Sequence, residues 1–252
     1  MRLLAVGLLG FSLIAASAQA QDDPCTGLTH EDRAYTVCEA VAGRDELRLW
    51  LNGRDGRPLG SFERLEEKLR SKGAEAAFAM NAGMYHPDRR PVGLHVEDSA
   101  QVAPLVTREG PGNFGMLPNG VFCIRDEGFA VIESRRFAEA APQCRHATQS
   151  GPMLVIDGAL HPRFIKGSSS RYIRNGVGVS ADGDRAWFVI SERPVNFHDF
   201  ARLFRDRLEA PQALYFDGNV SRLHAPGLGR SDGGRPMGPI IGMLREAGEA
   251  AR

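Results

Sequence analysis

The chain has no charge of either sign to spare: 31 Lys and Arg stand against 31 Asp and Glu among 252 residues. No basic stripe interleaved with aromatics runs through it, so the electrostatic footprint of a nucleic-acid-binding protein is missing and no such partner is expected. Long apolar runs are scarce too. The longest, Leu3 to Ala16, is shorter than the ~20 residues a membrane-spanning helix needs, and no comparable run follows, so no membrane span is expected. Cysteine is limited to four residues without a Cys-x-x-Cys spacing, which removes the zinc-ribbon and thioredoxin-type signatures. No repeat, low-complexity tract or Pro/Gly-rich linker divides the sequence.

What is there begins with "MRLLAVGLLGFSLIAASAQA". Arg2, the apolar stretch and the small-x-small site Ala18-Gln19-Ala20 form a secretory signal over residues 1–20. Removing it leaves residues 21–252 with thirty cationic against thirty-one acidic side chains, a net charge of −1. That length suits a single domain with a substantial core, periplasmic or secreted. In an oxidising compartment the four cysteines imply two disulfides. Of the three connectivities, Cys25–Cys38 with Cys123–Cys144 is favoured because each bond closes a local loop.

Strand-like runs dominate the interior: "RAYTVCEAV", "ELRLWL", "AEAAFAM", "VGLHVE", "GVFCI", "FAVIES", "PMLVI", "GVGVS", "RAWFVIS", "ALYF" and "GPIIGML". Two segments carry a helical period. In "SFERLEEKLRSKG", Phe62, Leu65 and Leu69 share a face, with Ser61 as N-cap and Gly73 as the stop; "NFHDFARLFRDRLEA" starts at Asn196 and ends before Pro211. "SADGDRA" reads as a hairpin turn, the reading favoured over Asp182-Gly183-Asp184 as a calcium loop. The expected fold is α+β, a large mixed, mostly antiparallel sheet with two main helices packed on it.

Several strand ends stop at small or polar residues. Asn81 and Gly83 lie in "AFAMNAGMY", Gln149 and Ser150 in "TQSGPMLVIDG", Arg174 and Asn175 in "RYIRNGVGVS", and Asp217 in "LYFDGNVS"; Glu192 sits where a strand hands over to a helix. If these ends converge, they make a site of carboxylates, one arginine and neutral hydrogen-bonders, suited to an anionic, hydroxyl-rich ligand. Asp-Gly is also ordinary turn punctuation, so Asp217 has a competing reading as a turn carboxylate. His95 and His146 have no sequence partner that marks a metal site, and His198, among the first residues of a helix, reads as a cap or surface group before a base.

The ordered motifs "FAMNAGMY", "PVGLHVE", "GNFGMLPNGVF", "QSGPMLVIDG", "IRNGVGVS" and "ALYFDGNVSRLH" resemble the phosphodiester glycosidase family over roughly Arg33 to Leu244. The resemblance implies an exported hydrolase that cleaves the glycosidic bond of a sugar-1-phosphodiester or a related cell-envelope glycan. The family pattern Asp-Gly-Gly-x-Ser reads here Asp217-Gly218-Asn219-Val220-Ser221, so Asn219 replaces the second glycine; the family's Arg-Thr reads Arg174-Asn175. Chemistry supplies roles: an arginine grips a phosphodiester with two parallel hydrogen bonds, and a carboxylate stabilises oxocarbenium character. Arg174 is the expected phosphate ligand with Arg171 as neighbour. Asp217 is the expected catalytic carboxylate and Glu192 the second. Asn81, Gly83, Gln149, Ser150, Asn175, Gly218, Asn219 and Ser221 are expected to surround the substrate. No cofactor is expected. A divalent metal near Asp217 belongs to an alternative reading as a phosphodiesterase cutting the P–O bond, although no spacing indicates one. A second alternative is a glycan-binding module without turnover.

Overall fold

The computed structural model describes residues 23–247, so the expected signal sequence, residues 1–20, lies outside the described residues. Strands β1 (Cys25–His30), β2 (Arg33–Val41) and β3 (Glu46–Trp50) precede helix α1 (Phe62–Arg70). Strands β4 (Ala74–Asn81), β5 (His95–Glu97), β6 (Ala100–Ala103), β7 (Gly120–Arg125) and β8 (Gly128–Glu133) lead to helix α2 (Ser134–Ala140). Next come β9 (His146–Ser150), β10 (Met153–Ile156), β11 (Ala159–Leu160), β12 (Asn175–Val179) and β13 (Arg185–Ser191). Helix α3 (Phe197–Arg202) widens into a π-helical turn over Leu203–Arg207, and β14 (Gln212–Asp217), β15 (Leu223–Ala225), β16 (Arg230–Ser231) and β17 (Ile240–Glu246) complete the order.

Among the described residues every strand pairing is antiparallel, as α+β patterning implied, but the strands divide into three sheets. The first runs β1-β2-β13-β12-β14-β10-β11, the second β16-β15-β4-β17-β3 and the third β6-β5-β9-β7-β8. Alternation along the strands gives each sheet an apolar inner face, and one phenylalanine from each meets in the shared core. Phe188 of β13 stands 5.2 Å from Phe78 of β4 and 5.6 Å from Phe122 of β7, the latter edge-on.

The helices seal the outer faces. In α1, Phe62, Leu65 and Leu69 are buried against the second sheet, and the Ser61 hydroxyl accepts the Arg64 N–H at 3.3 Å, as its capping position requires. Asn196 caps α3 by accepting the Asp199 N–H at 2.8 Å. The wide turn that follows seats Phe204 directly on Gly178 of β12, where a Cβ would lie 2.6 Å from the ring. Helix α2 covers the third sheet with Phe137. Its cap is Glu133, whose carboxylate accepts the Arg135 and Arg136 N–H groups.

Both disulfides join the expected partners. Cys25 and Cys38 face each other across the β1–β2 ladder, and Cys123 on β7 bonds Cys144 just before β9. Among the described residues no helix is long and apolar enough to cross a membrane.

Candidate active site

The site forms where two sheets meet. Strand β12 of the first sheet begins at Asn175 and β4 of the second ends at Asn81; both side chains are fully buried. Their amides pair reciprocally at 3.2 Å, and Asn175 Nδ2 also donates to the Asn81 carbonyl at 2.8 Å. A buried amide must satisfy its donors and acceptor, and these two do so across the junction. Their remaining acceptor capacity holds the loop after β14. Asn175 Oδ1 accepts the Asp217 N–H at 3.2 Å, and Asn81 Oδ1 accepts the Arg222 N–H at 2.8 Å. The loop 217–222 is thus pinned at both ends by the asparagine pair.

Within that loop Asp217 is half-buried. Its Oδ1 accepts the N–H groups of Gly218 at 2.6 Å and Asn219 at 2.9 Å, the geometry of an Asx turn. Burial pushes its carboxyl above the usual carboxylate range, against the lowering effect of these backbone donors. Ser221 Oγ donates to the Asp217 carbonyl at 2.7 Å. Gly218 has to be glycine, because a Cβ there would overlap the Tyr215 hydroxyl packed beneath it.

A cleft of about 640 Å³ opens over this loop, lined by Gly218, Asn219, Ser221 and Arg222 together with Glu192, Arg230 and Arg235; the Asp217 and Tyr85 side chains are not part of that lining. Glu192 Oε1 accepts from Thr36 Oγ1 at 2.6 Å and from Arg230 Nη1 at 2.8 Å. Arg230 also forks onto Asp232 at 3.0 and 2.9 Å, so its charge is spent within the cleft wall. Arg222 differs. It is 8% exposed, its guanidinium lies against Gly234, and among the described residues no carboxylate comes within ion-pair distance. Burial lowers its pKa, partly offset by Tyr85 and Asp232. The Tyr85 phenol donates to the Pro236 carbonyl at 3.2 Å. Its pKa is raised first by burial and then by the Asp217 carboxylate, while the cations of Arg89, Arg222 and Arg235 pull it down. A carboxylate and an unpaired guanidinium therefore act on one phenol.

The other sequence-derived candidates lie elsewhere. Arg174, expected to grip a phosphate, is 1% exposed and not part of the cleft lining. Its Nε, Nη1 and Nη2 donate to the Val195 carbonyl, the Tyr215 hydroxyl and the Ser170 carbonyl at 2.8, 3.1 and 3.2 Å, and its guanidinium stacks 3.7 Å from the Phe197 ring centroid. Alternation explains the difference: Asn175 faces the sheet junction, so its neighbour Arg174 faces α3. Gln149 is saturated, with Oε1 accepting from Leu94 and Val106 N–H and Nε2 donating to the Val106 carbonyl and Ser134 Oγ. Ser150 Oγ donates to the Phe216 carbonyl at 2.8 Å. Gly83 is required by β9, since a Cβ would meet Thr148 Oγ1 at 2.6 Å. Arg171 is exposed on the loop before β12. Asp182 and Asp184 occupy the β12–β13 turn, and among the described residues no group of three His, Cys, Asp or Glu side chains is arranged to hold a metal.

Tyr85, Arg222, Arg230 and Arg235 escaped the sequence reading. Two had a signal: Tyr85 ends "NAGMY", and Arg222 directly follows Ser221 in "DGNVSRLH".

The site thus consists of an antiparallel α+β scaffold carrying a desolvated carboxylate and an unpaired arginine on one pinned loop. The family assignment is direct. The phosphodiester glycosidase family model matches residues 74–241, and the chain belongs to that family. It is 33% identical over 224 residues to the uncharacterized protein YigE of Escherichia coli (strain K12), covering 89% of this chain and 84% of that one. Its fold is similar to the catalytic domain of zebrafish N-acetylglucosamine-1-phosphodiester α-N-acetylglucosaminidase, auto-inhibited there by its pro-peptide. That match has a TM-score of 0.59 at 13% identity over 87% of this chain and 81% of the other. A hypothetical protein from Synechocystis matches with a TM-score of 0.56 at 13% identity, over 87% and 61% of the two chains.

Proposed function

We infer that the protein is an exported hydrolase cleaving the C–O bond between a sugar's anomeric carbon and a phosphodiester, in an envelope glycan or its precursor. One observation carries this reading: the half-buried Asp217 carboxylate and the unpaired Arg222 guanidinium belong to the same loop, pinned at both ends by Asn175 and Asn81. Export is supported by the signal-like first twenty residues and by the two disulfides.

In this scheme Arg222 takes the phosphodiester oxygens and Arg235 adds diffuse positive charge at the cleft mouth. The C1–O bond breaks with its electron pair leaving on the phosphate, which is a good leaving group and needs little protonation. Asp217, poorly solvated, stabilises the positive charge that grows on the anomeric carbon and ring oxygen. A water oxygen adds to that carbon and its proton passes to a carboxylate. Glu192, held by Thr36 and Arg230, is the second carboxylate available for that proton.

The products test the scheme. Incubation with a panel of sugar-1-phosphodiesters is expected to release free sugar and an intact phosphomonoester. Release of sugar phosphate instead would identify a phosphodiesterase, and saturable binding without products a glycan-binding module; either result overturns the proposal.

A further inference from the structure

Between Asp157 and Asp182 the sequence contains no acidic residue, while Arg163, Lys166, Arg171 and Arg174 all fall in this interval. In a chain with equal numbers of both charges this is a local imbalance, and it falls on the loop joining β11 to β12. That loop also holds two of the largest apolar side chains left in water among the described residues: Ile165 is 72% exposed and Tyr172 50%.

Isolated exposed apolar residues are common and need no explanation. These two differ because the loop is held in place at several points. Phe164 stacks on Phe197 with ring centroids 5.0 Å apart and planes 4° from parallel, and on His161 at 4.9 Å. Asn196 Nδ2 donates to the Ser168 carbonyl at 3.3 Å, and buried Arg174 donates to the Ser170 carbonyl at 3.2 Å. Tyr172 exchanges backbone hydrogen bonds with Val195 at 3.1 and 2.8 Å. The Phe164 ring is spent on this anchorage, and its neighbour Ile165 is left pointing outward. The loop also abuts the cleft: Ile173, next to Tyr172, lines it, and the Ile173 carbonyl lies 3.0 Å from Ser221 Oγ.

We propose that the loop 161–172 seats the protein on an anionic phospholipid bilayer, with Ile165 and Tyr172 entering the headgroup boundary and Lys166 and Arg171 contacting lipid phosphates. An apolar tip ringed by cations on a fixed loop is the composition interfacial contacts use, and charge complementarity selects an anionic surface. Among the described residues Lys166 and Arg171 form no ion pair that would compete, whereas Arg163 lies 3.7 Å from Glu109. The carboxylate of Glu192 in the adjoining cleft is already paired with Arg230. The contact places the cleft beside the membrane, so the phosphodiester substrate is one carried on a lipid. The lipid-linked substrate rests on the function proposed above; the membrane contact does not.

Sedimentation with vesicles tests the contact without any substrate. Residues 21–252 are expected to pellet at least tenfold more with vesicles of phosphatidylglycerol and phosphatidylcholine than with phosphatidylcholine alone. Ile165→Asp and Lys166→Glu are each expected to reduce that partition at least fivefold, and 0.5 M salt to weaken it. Both variants are exposed-site changes and should keep the parental circular dichroism spectrum and the parental rate on a water-soluble substrate. Equal sedimentation with both vesicle types, or unchanged binding by either folded variant, overturns the proposal. If vesicles are bound as expected but no sugar is released from any phosphodiester, the membrane contact stands and the hydrolase reading falls.

Discussion

Replacing Asp217 by Asn separates the catalytic reading of this carboxylate from its reading as a turn residue. The amide oxygen of Asn occupies the place of Oδ1, so the two hydrogen bonds from Gly218 and Asn219, at 2.6 and 2.9 Å, survive, each contributing a net ~1 kcal/mol. The charge goes. Because burial raises the Asp217 carboxyl, its ionised form opposes folding: the stability it contributes is complete below the unfolded value and is lost as pH rises through the folded one. An uncharged Asn escapes that cost, so the variant should melt at or above the parental temperature at pH 7. Its rate should fall by about a hundredfold or more, because at least ~3 kcal/mol of transition-state stabilisation disappears. The parent's rate should also rise with pH along an acidic limb lying above the ordinary Asp value of ~3.9. The assay pairs thermal melts by circular dichroism with sugar release on the same sample. A folded variant with more than about a tenth of parental activity, equivalent to ~1.4 kcal/mol, would refute the catalytic role and shift it to Glu192.

Arg222→Lys keeps the charge but loses the two-pronged grip, so KM for a phosphodiester should rise about tenfold with little change in melting temperature; an unchanged KM would remove Arg222 from phosphate recognition. Arg174→Lys should do the reverse, costing about 2–4 kcal/mol in urea titrations because it loses donors and stacking in a buried position. Removing the Cys123–Cys144 bond, which closes a separation of 21 residues, should cost about 3 kcal/mol, and a non-reduced digest of the parent should contain no alkylatable thiol. His146 is held neutral by burial, its pKa lowered from 6.5 to about 4. The unfolded chain takes up that proton first, so the stability from the neutral ring is lost as pH falls from about 6.5 to about 4, roughly 3 kcal/mol in all. His146→Gln should flatten the difference between urea midpoints at pH 7 and pH 4.5; an unchanged difference would count against this account.

The fold was largely legible where side chains alternate or repeat cleanly. The strand-like runs form strands, Ser61 and Asn196 cap helices, and the β12–β13 turn falls on Asp182-Gly183. What escaped had a physical reason. Strand β9, His-Ala-Thr-Gln-Ser, is buried at every position although four of its residues are polar, because those side chains find partners inside. Helix α2 spans seven residues, buries only Ser134 and Phe137, and uses a glutamate cap, so neither period nor cap chemistry announced it. The candidate site was legible as a list of strand ends. Asp217 and Ser221 belong to the cleft's loop, but Arg174 turns away from the cleft because its neighbour Asn175 takes the face toward the sheet junction, a choice of face that the sequence did not announce. Asn81 and Asn175, expected among the residues around the substrate, fasten the loop.

That fastening has an evolutionary consequence. Both ends of the loop hang from amides on two different sheets, and between them the turn closes through the backbone N–H groups of Gly218 and Asn219 and the Ser221 hydroxyl rather than through the Asn219 side chain. Asn219 is exposed and its side chain makes no hydrogen bond among the described residues, so substitutions there change what lies over the substrate without moving Asp217 or Arg222. If the proposed function holds, substrate preference is free to drift at that single position while Asp217 and Arg222 on either side stay put.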